Sequence, residues 1–232
     1  MEEMLQLGIA ITEKAFCAVI KACATSASKD RADHWLNEMK GSRFTPSEEV
    51  WLDVLTAYSY SSKSDCERLL TRMYLDGYTI STKHFTKVIQ SAVKNNDPEA
   101  AERWFQMLGK SGNNPDMNAY GACLLGWLNA RNFEKMEEKF VEIKENSRSL
   151  GNKPPSVFIY TMMLKGCEVI PEAGGVSTAV RYWTYMKQDG VEPNMHSYDV
   201  MLTILMKFRR RDAVAKMLEV MIERKVAVKR NS

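Results

Sequence analysis

The sequence predicts an all-α protein, a right-handed α-solenoid of stacked helix-turn-helix repeats. The first reason is composition: the 232 residues include only 7 Pro and 12 Gly but 15 Met, beside many Leu, Ala, Glu and Lys, which form helices well. The second reason is an internal repeat of about 35 residues, carried by two independent series of apolar residues.

Composition also limits the class of protein. Hydrophobic residues make up 45% and charged residues 26% of the chain, a balance typical of folded soluble domains. The longest stretch without a charge, Met117 to Ala130, has 14 residues, and about 20 are needed to span a bilayer, so we expect no membrane insertion. Glu2 and Glu3 fit neither a secretory signal nor an Arg-rich transit peptide, and we expect no targeting segment in this chain.

The repeat is visible in two series of apolar residues that keep step. The first is a series of aromatic residues spaced 34 to 40 positions apart: Phe16, Trp51, Phe85, Tyr120, Tyr160 and Tyr198. The second follows each aromatic by 22 to 26 positions: Met39, Met73, Leu108, Ile143, Met186 and Met221. Two series in step indicate one structural unit repeated along the chain.

Each unit has the pattern of a helical hairpin. In the third unit, apolar residues recur at helical spacing from Phe85 to Val93, which predicts a helix with one buried stripe. Asn95 to Asp97 interrupts this pattern, Pro98 suits the first turn of a second helix, and Pro115 follows its end. The unit is therefore predicted to be a helix, a turn and a second helix.

The chain divides into six such units and two short ends. The predicted repeats are 13–47, 48–81, 82–116, 117–156, 157–194 and 195–229. Residues 1–12 fit the end of a preceding repeat and 230–232 form a tail. The fourth and fifth repeats are longer, and we expect their extra residues, 146–154 and 170–176, to lie in loops. One hairpin cannot bury its apolar face alone, so the units are expected to stack along a continuous core.

Catalytic, metal and cofactor chemistry finds little support in the residues. The five cysteines contain no C-x-x-C pair, so neither zinc nor a disulfide framework is indicated, and we interpret them as reduced, mostly buried side chains. His34, His84 and His196 lie in different units and at different repeat positions, without an obvious triad or metal set. We predict no enzyme activity, no cofactor and no small-molecule substrate.

Charge is unevenly distributed along the chain. The net charge is +3, but residues 195–232 carry nine Lys or Arg against four acids, a net +5, which leaves residues 1–194 at −2. The basic end includes Lys207, Arg209, Arg210 and Arg211. It is either a solvated surface or a phosphate contact for transcript or ribosomal RNA.

The repeat length, the aromatic of the first helix and the repeat endings resemble the pentatricopeptide repeat family over essentially the whole chain. The endings Trp104-Phe-Gln-Met-Leu-Gly-Lys-Ser-Gly-Asn-Asn-Pro-Asp116 and Tyr182-Trp-Thr-Tyr-Met-Lys-Gln-Asp-Gly-Val-Glu-Pro-Asn194 carry the resemblance. Tetratricopeptide repeats are of similar length, but their Trp and Leu-Gly pattern is missing from the first helices. The resemblance implies sequence-specific binding of single-stranded RNA in a mitochondrion or plastid, one base per repeat.

In that family the residue after the aromatic and the last residue of the repeat together read one base. The corresponding pairs here are Cys17 with Ser47, Leu52 with Ser81, Thr86 with Asp116, Gly121 with Ser156, Thr161 with Asn194, and Asp199 with Lys229. By resemblance, Thr86 with Asp116 prefers guanine and Thr161 with Asn194 prefers adenine.

Two further features of the family are only partly present. An aliphatic residue two positions before the aromatic usually sandwiches the bases, and here only Phe158 supplies an apolar platform; the other units carry Lys14, Glu49, Lys83, Asn118 and His196. Lysines near the end of the first helix often meet phosphate in the family, and Lys94 and Lys207 stand there.

Two functions follow from these residues. The first is a non-enzymatic organellar RNA-binding repeat protein that acts in RNA metabolism or translation, with single-stranded or ribosomal RNA as partner. The alternative is a scaffold subunit of a large organellar complex, such as a ribosome or a respiratory or photosynthetic assembly, held by contacts with other protein subunits. The polar platforms and the incomplete pairs favour the alternative.

Overall fold

A computed structural model of the chain describes residues 11–58, 62–149 and 154–223. These residues form twelve α-helices and one short 3-10 helix, Cys167–Val169, and no strand. In chain order the α-helices are α1 Glu13–Thr25, α2 Lys29–Gly41, α3 Glu48–Ala57, α4 Lys63–Leu75, α5 Thr82–Lys94, α6 Pro98–Lys110, α7 Met117–Asn129, α8 Phe133–Ser149, α9 Val157–Gly166, α10 Glu172–Gln188, α11 Met195–Lys207 and α12 Arg211–Glu223. None of these helices is long and apolar enough to cross a membrane.

The helices alternate between first and second members of a hairpin. The odd-numbered helices are the first helices, and they begin at residues 13, 48, 82, 117, 157 and 195, where the six predicted repeats begin. The prediction of an all-α fold of helix-turn-helix repeats is confirmed. Of the two predicted end segments, 1–12 and 230–232, residues 1–10 and 230–232 lie outside the described residues.

The described residues form two compact units, Met1–Cys123 and Leu124–Ser232. In the first unit, α1 packs against α2 and α3, and α3 packs against α5. In the second, α9 packs against α10 and α11 in the same way. In both units these first helices contact their own second helix and the next first helix, the nearest-neighbour packing of a repeat protein. The aromatic residues that begin the repeats, such as Trp51 and Tyr160, are fully buried in these contacts.

Most turns are closed by one residue in the left-handed region of the backbone. Between first and second helices this residue is Ala27, Asn96, Arg131 or Arg209, with φ between 48° and 55°. After several second helices it is Gly77, Gly112 or Gly190, with φ between 70° and 82°. The following N–H then bonds back to the helix, as in Tyr78 N to Met73 O at 3.0 Å, which ends the helix sharply and satisfies a terminal carbonyl.

The expectation that the extra residues of the fourth and fifth repeats lie in loops is wrong in part. Helix α8 continues to Ser149, and α10 starts at Glu172, so both second helices have 17 residues where most helices have 13. Ser147 is buried one turn beyond Ile143, which keeps the end of α8 packed. Gly174 and Gly175 donate to Pro171 O at 2.9 and 3.1 Å, so the backbone closes a regular first turn in spite of two glycines.

Second helices of successive repeats are joined by ion pairs. Lys29 of α2 contacts Asp65 of α4 at 2.9 Å, and Lys40 of α2 pairs with Asp76, which directly follows α4. In the second unit, Arg181 of α10 pairs with Glu137 of α8. A surface pair is worth about 0–1 kcal/mol, so the series adds modestly to stability, and it engages many cations of the second helices.

Candidate nucleic-acid interface

The last residues of four predicted repeats cap the first helix that follows. Side-chain oxygens of Ser47, Asp116, Ser156 and Asn194 accept hydrogen bonds from the backbone N–H three residues on, at distances between 2.8 and 3.5 Å. Ser, Asp and Asn are the residues preferred at this position because they satisfy an unpaired N–H of the helix. The residues expected to read bases are therefore also structural caps, and capping alone accounts for their polar character.

Capping fixes which atom of each longer side chain remains available. A backbone N–H can only donate, so the atom that faces it must be an acceptor. Asp116 uses Oδ1 for Ala119 N at 2.8 Å, and its Oδ2 accepts a long bond of 3.4 Å from the Asn118 side chain. Asn194 uses its oxygen for Ser197 N at 2.9 Å, which leaves its NH₂ group facing away from the helix. Asp116 thus offers an acceptor and Asn194 offers donors.

The threonines expected to share in base reading are buried. Thr86 is 7% and Thr161 3% exposed, and each hydroxyl contacts the carbonyl oxygen one turn earlier in its own helix, Thr82 O at 2.9 Å and Val157 O at 2.7 Å. Thr86 and Asp116 make no hydrogen bond to each other. In both pairs the capping residue is the more accessible member.

The pair Thr161 and Asn194 is joined through a third side chain, Ser197. Ser197 Oγ lies 2.8 Å from Thr161 Oγ1 and 3.0 Å from Asn194 Oδ1. Ser197 belongs to α11 and is fully buried. The structure therefore brings Thr161 and Asn194 into one hydrogen-bond chain that the sequence reasoning did not include.

The second residue of every first helix has an exposed side chain. These six second-position residues are Lys14, Glu49, Lys83, Asn118, Phe158 and His196. Phe158 is the only apolar ring among them and is 55% exposed. A ring with this exposure leaves a face free for a flat ligand, and a nucleobase can stack on such a face.

The predicted phosphate contacts lie at or near the ends of first helices. Lys94 and Lys207 are exposed at the last turns of α5 and α11, and Lys207 Nζ donates to Glu168 O at 2.5 Å. Arg209 and Arg210 lie in the turn before α12, and Arg211 is the first residue of that helix. Their side chains are exposed and make no ion pair or hydrogen bond with the residues that the structure describes.

Asp199 and Lys229 are the predicted base-reading pair of the sixth repeat. Asp199 is exposed on α11, and its backbone oxygen accepts a bond of 2.8 Å from Thr203 Oγ1. Its expected partner Lys229 lies outside the described residues.

The cysteines and histidines are placed separately. All five thiols are free, and four of them are buried. Burial raises the pKa of the Cys167 thiol to about 12, which keeps it protonated and unreactive at neutral pH. Within the described ranges, no three His, Cys, Asp or Glu side chains come together as a metal site would require.

His84 has a structural role at the start of α5. Its Nδ1 accepts a hydrogen bond from Ser81 N at 3.1 Å, which closes the first turn of the helix. Its Nε2 is buried without a hydrogen-bond partner in the described part of the chain. Burial, the largest cause, lowers the pKa of His84, so the ring is neutral at physiological pH.

Sequence reasoning missed two features of this interface. One was the capping role of the repeat-ending residues, although Ser, Asp or Asn directly before a predicted helix is a known start signal. The other was Ser197, whose partner Thr161 lies 36 positions earlier. No local pattern marks such a contact. Ser197 and His84 are nevertheless polar at a position held by Ala15, Val50, Ala119 and Ile159 in the other repeats, and this exception was visible in the sequence.

Comparisons with known proteins agree with this fold. Residues 142–208 match the family model described as the pentatricopeptide repeat domain. The crystal structure of pentatricopeptide repeat protein PPR10 from maize has a TM-score of 0.69 and 17% identity, covering 100% of this chain and 32% of that chain. Nuclear proteinaceous RNase P 2 (PRORP2) from A. thaliana has a TM-score of 0.55 and 18% identity, covering 83% of this chain and 42% of that chain.

One relative among curated proteins is a ribosomal protein. Small ribosomal subunit protein mL103 (rPPR7) from Arabidopsis thaliana is 21% identical over 204 residues, which cover 87% of this chain and 47% of the relative. The chain therefore spans about half the length of this relative.

The helical hairpins and their capped first helices define a protein of stacked α-helical repeats. The likeness to the maize protein shows the same fold, and over residues 142–208 the family match specifies the type of repeat. Both agree with the resemblance to the pentatricopeptide repeat family that the sequence predicted.

Proposed function

We propose that this chain is a non-enzymatic RNA-binding repeat protein that acts in a mitochondrion or plastid, in RNA metabolism or translation. The observation that carries the proposal is the common register of the first helices. At the start of each, an exposed second-position side chain lies two residues after a polar cap. Within each unit, successive repeats thus offer hydrogen-bonding groups at the same helix position, and Phe158 adds an apolar stacking ring, which suits a single strand with its bases turned outward.

Charge adds support near the end of the chain. The second-helix cations Lys29, Lys40 and Arg181 are engaged in pairs between repeats. Arg209, Arg210 and Arg211 are instead exposed and unpaired among the described residues, so they are available to phosphate. Arginine is well suited to this contact because its planar fork binds two phosphate oxygens at once.

The direct test is a titration of the chain with labelled single-stranded RNA of random sequence at low salt, followed by fluorescence anisotropy. We expect saturable binding that weakens as salt rises, because phosphate contacts release counterions. A duplex of the same length should bind more weakly, since its bases are not accessible for stacking. No measurable affinity for any single strand at low salt would contradict the proposal.

A second candidate function is a scaffold subunit of an organellar ribosome. Its support is the match to a small ribosomal subunit protein and the polar residues at most platform positions. Both functions can belong to one protein, because a ribosomal subunit contacts RNA and protein together. Affinity purification of the tagged chain from organelles, with and without nuclease treatment, separates them: ribosomal proteins retained after digestion support the scaffold.

Enzyme activity is not part of the proposal. The similarity to proteinaceous RNase P 2 covers 42% of that chain, and no cluster of metal-binding side chains occurs in the described residues. We propose RNA as the ligand, single-stranded or ribosomal, with neither a cofactor nor a small-molecule substrate.

A further inference from the structure

We propose that Ser197 sets the base preference of the fifth repeat by holding the Asn194 amide in one orientation, with its NH₂ group toward the ligand. This inference rests on the proposed RNA-binding function and names the chemistry of one of its sites. The ligand there is a nucleobase that presents a hydrogen-bond acceptor to Asn194. Ser197 is a positioning residue, since it is buried and acts through Asn194.

Ser197 makes two hydrogen bonds to the same oxygen of Asn194. Ser197 donates its backbone N–H to Asn194 Oδ1 at 2.9 Å and its hydroxyl to the same oxygen at 3.0 Å. Rotating the amide by half a turn would place its NH₂ group against the backbone N–H and lose that bond, and the hydroxyl would have to accept instead of donate. One contact is the ordinary cap, and the second, from the hydroxyl, is specific to this repeat.

The hydroxyl of Thr161 contacts the hydroxyl of Ser197. Thr161 Oγ1 donates its own proton to Val157 O at 2.7 Å and lies 2.8 Å from Ser197 Oγ, so the single Ser197 hydroxyl proton is shared between Thr161 Oγ1 and Asn194 Oδ1. Thr161 thereby holds the Ser197 hydroxyl beside Asn194. Thr161 is only 3% exposed, so it contributes to base reading through its contact with Ser197 and not by touching the base.

The cap of the fourth repeat's first helix lacks the hydroxyl contact that Asn194 makes. The cap of α7, Asp116, stands at the same repeat position as Asn194, but the residue three positions on is Ala119 instead of a serine. Asp116 Oδ1 accepts only the backbone N–H of Ala119, at 2.8 Å, and no hydroxyl joins it to Thr86. A carboxylate needs no such lock, because both of its oxygens are acceptors whichever way it turns.

The experiment uses RNA selected for binding to the full chain, with each nucleotide then replaced by the other three bases. The Asn194→Asp variant replaces the outward NH₂ donor with a carboxylate acceptor. The nucleotide whose base preference changes in this variant is the one that contacts the fifth repeat. At that nucleotide we expect Ser197→Ala and the near-isosteric Ser197→Cys to reduce the preference about three- to tenfold. Ser197→Thr, which keeps a hydroxyl, should retain it.

The outcomes separate this inference from the proposed function. If the wild-type chain binds no RNA, the proposed function itself is overturned. If RNA binds but Ser197→Ala and Ser197→Cys leave the base preference at that nucleotide unchanged, the role of Ser197 is overturned while the function stands. An equal loss of affinity for all four bases would also overturn it, because a purely structural role has that signature.

Discussion

Lys144 Nζ donates to both carboxylate oxygens of Asp189, at 2.7 Å to Oδ1 and 2.6 Å to Oδ2, across 45 positions of sequence. The hydroxyl of Tyr160 donates to the same carboxylate. One acidic side chain at the end of α10 thereby joins the first and second helices of its own repeat to the second helix of the preceding repeat.

This arrangement predicts that Asp189→Asn destabilises the second compact unit. The change leaves Lys144 without its charged partner and brings an NH₂ group toward two donors, which costs about 1–3 kcal/mol. Urea unfolding followed by circular dichroism measures the loss. The matched control is Asp212→Asn, because Asp212 is exposed on α12 and makes no ion pair within the described residues. Equal midpoints for the two variants would show that the contacts of Asp189 add no stability.

Close packing at Gly175 gives a second prediction. A Cβ atom added there would lie 2.8 Å from two ring atoms of Phe208 and 3.1 Å from Cys167 O, and the backbone carbonyl cannot easily move. We expect Gly175→Ala to cost about 1–3 kcal/mol, in spite of the better helix propensity of alanine.

The neighbouring glycine supplies the control for this change. At Gly174 an added Cβ would meet only the Ile170 side chain, at 3.2 Å, so Gly174→Ala should be neutral or slightly stabilising. Thermal melting of both variants tests the pair. If Gly175→Ala melted at or above the temperature of Gly174→Ala, the close approach of Phe208 would not limit this position.

The burial of His84 predicts a loss of stability in mild acid. Its pKa in the folded chain is lowered from 6.5, chiefly by burial, so below about pH 6.5 the unfolded chain binds a proton that the folded chain does not. The contribution of His84 to stability is thus constant above that pH and falls as the pH drops from 6.5 toward the lowered value. Protonation would also place a hydrogen on Nδ1, which now accepts from Ser81 N.

Urea unfolding at pH 7.5 and at pH 5.5 measures this effect. We expect His84→Gln to lose part of the difference between the two pH values, because glutamine can accept the same bond without titrating. His196→Gln is the control, since His196 is exposed. The same pH difference in wild type and His84→Gln would assign the acid sensitivity to other groups.

The repeats were predictable because their signals are local. Each first helix needs an apolar stripe after a polar cap, and both are written in a few consecutive residues, as at Ser81 and Phe85. The extension of α8 to Ser149 was not predictable in this way, because Asn146 and Ser147 are weak helix formers that hold their conformation through packing.

The site was predictable only in part, for a similar reason. Pairing by repeat position placed Thr161 and Asn194 together, and a hydrogen-bond chain does connect them. The burial of Thr161 and the part played by Ser197 depend on how α9 packs against α11, which no single stretch of sequence records.

Among substitutions at the second positions of the first helices, we expect loss of the exposed Phe158 ring to reduce RNA affinity most. Stacking on an aromatic side chain is worth about 1–3 kcal/mol per base, so Phe158→Ala should weaken binding of single-stranded RNA roughly 5- to 150-fold. The ring is 55% exposed, and its removal should leave the melting temperature of the chain almost unchanged.

Val180→Ala is the matched control, because Val180 is 48% exposed but belongs to the second helix α10 and not to a first helix. Anisotropy titrations of the wild type and both variants at one salt concentration compare these affinities. Equal affinities for wild type and Phe158→Ala would mean that no base stacks on this ring, whereas a loss on Val180→Ala as well would assign the effect to general apolar surface.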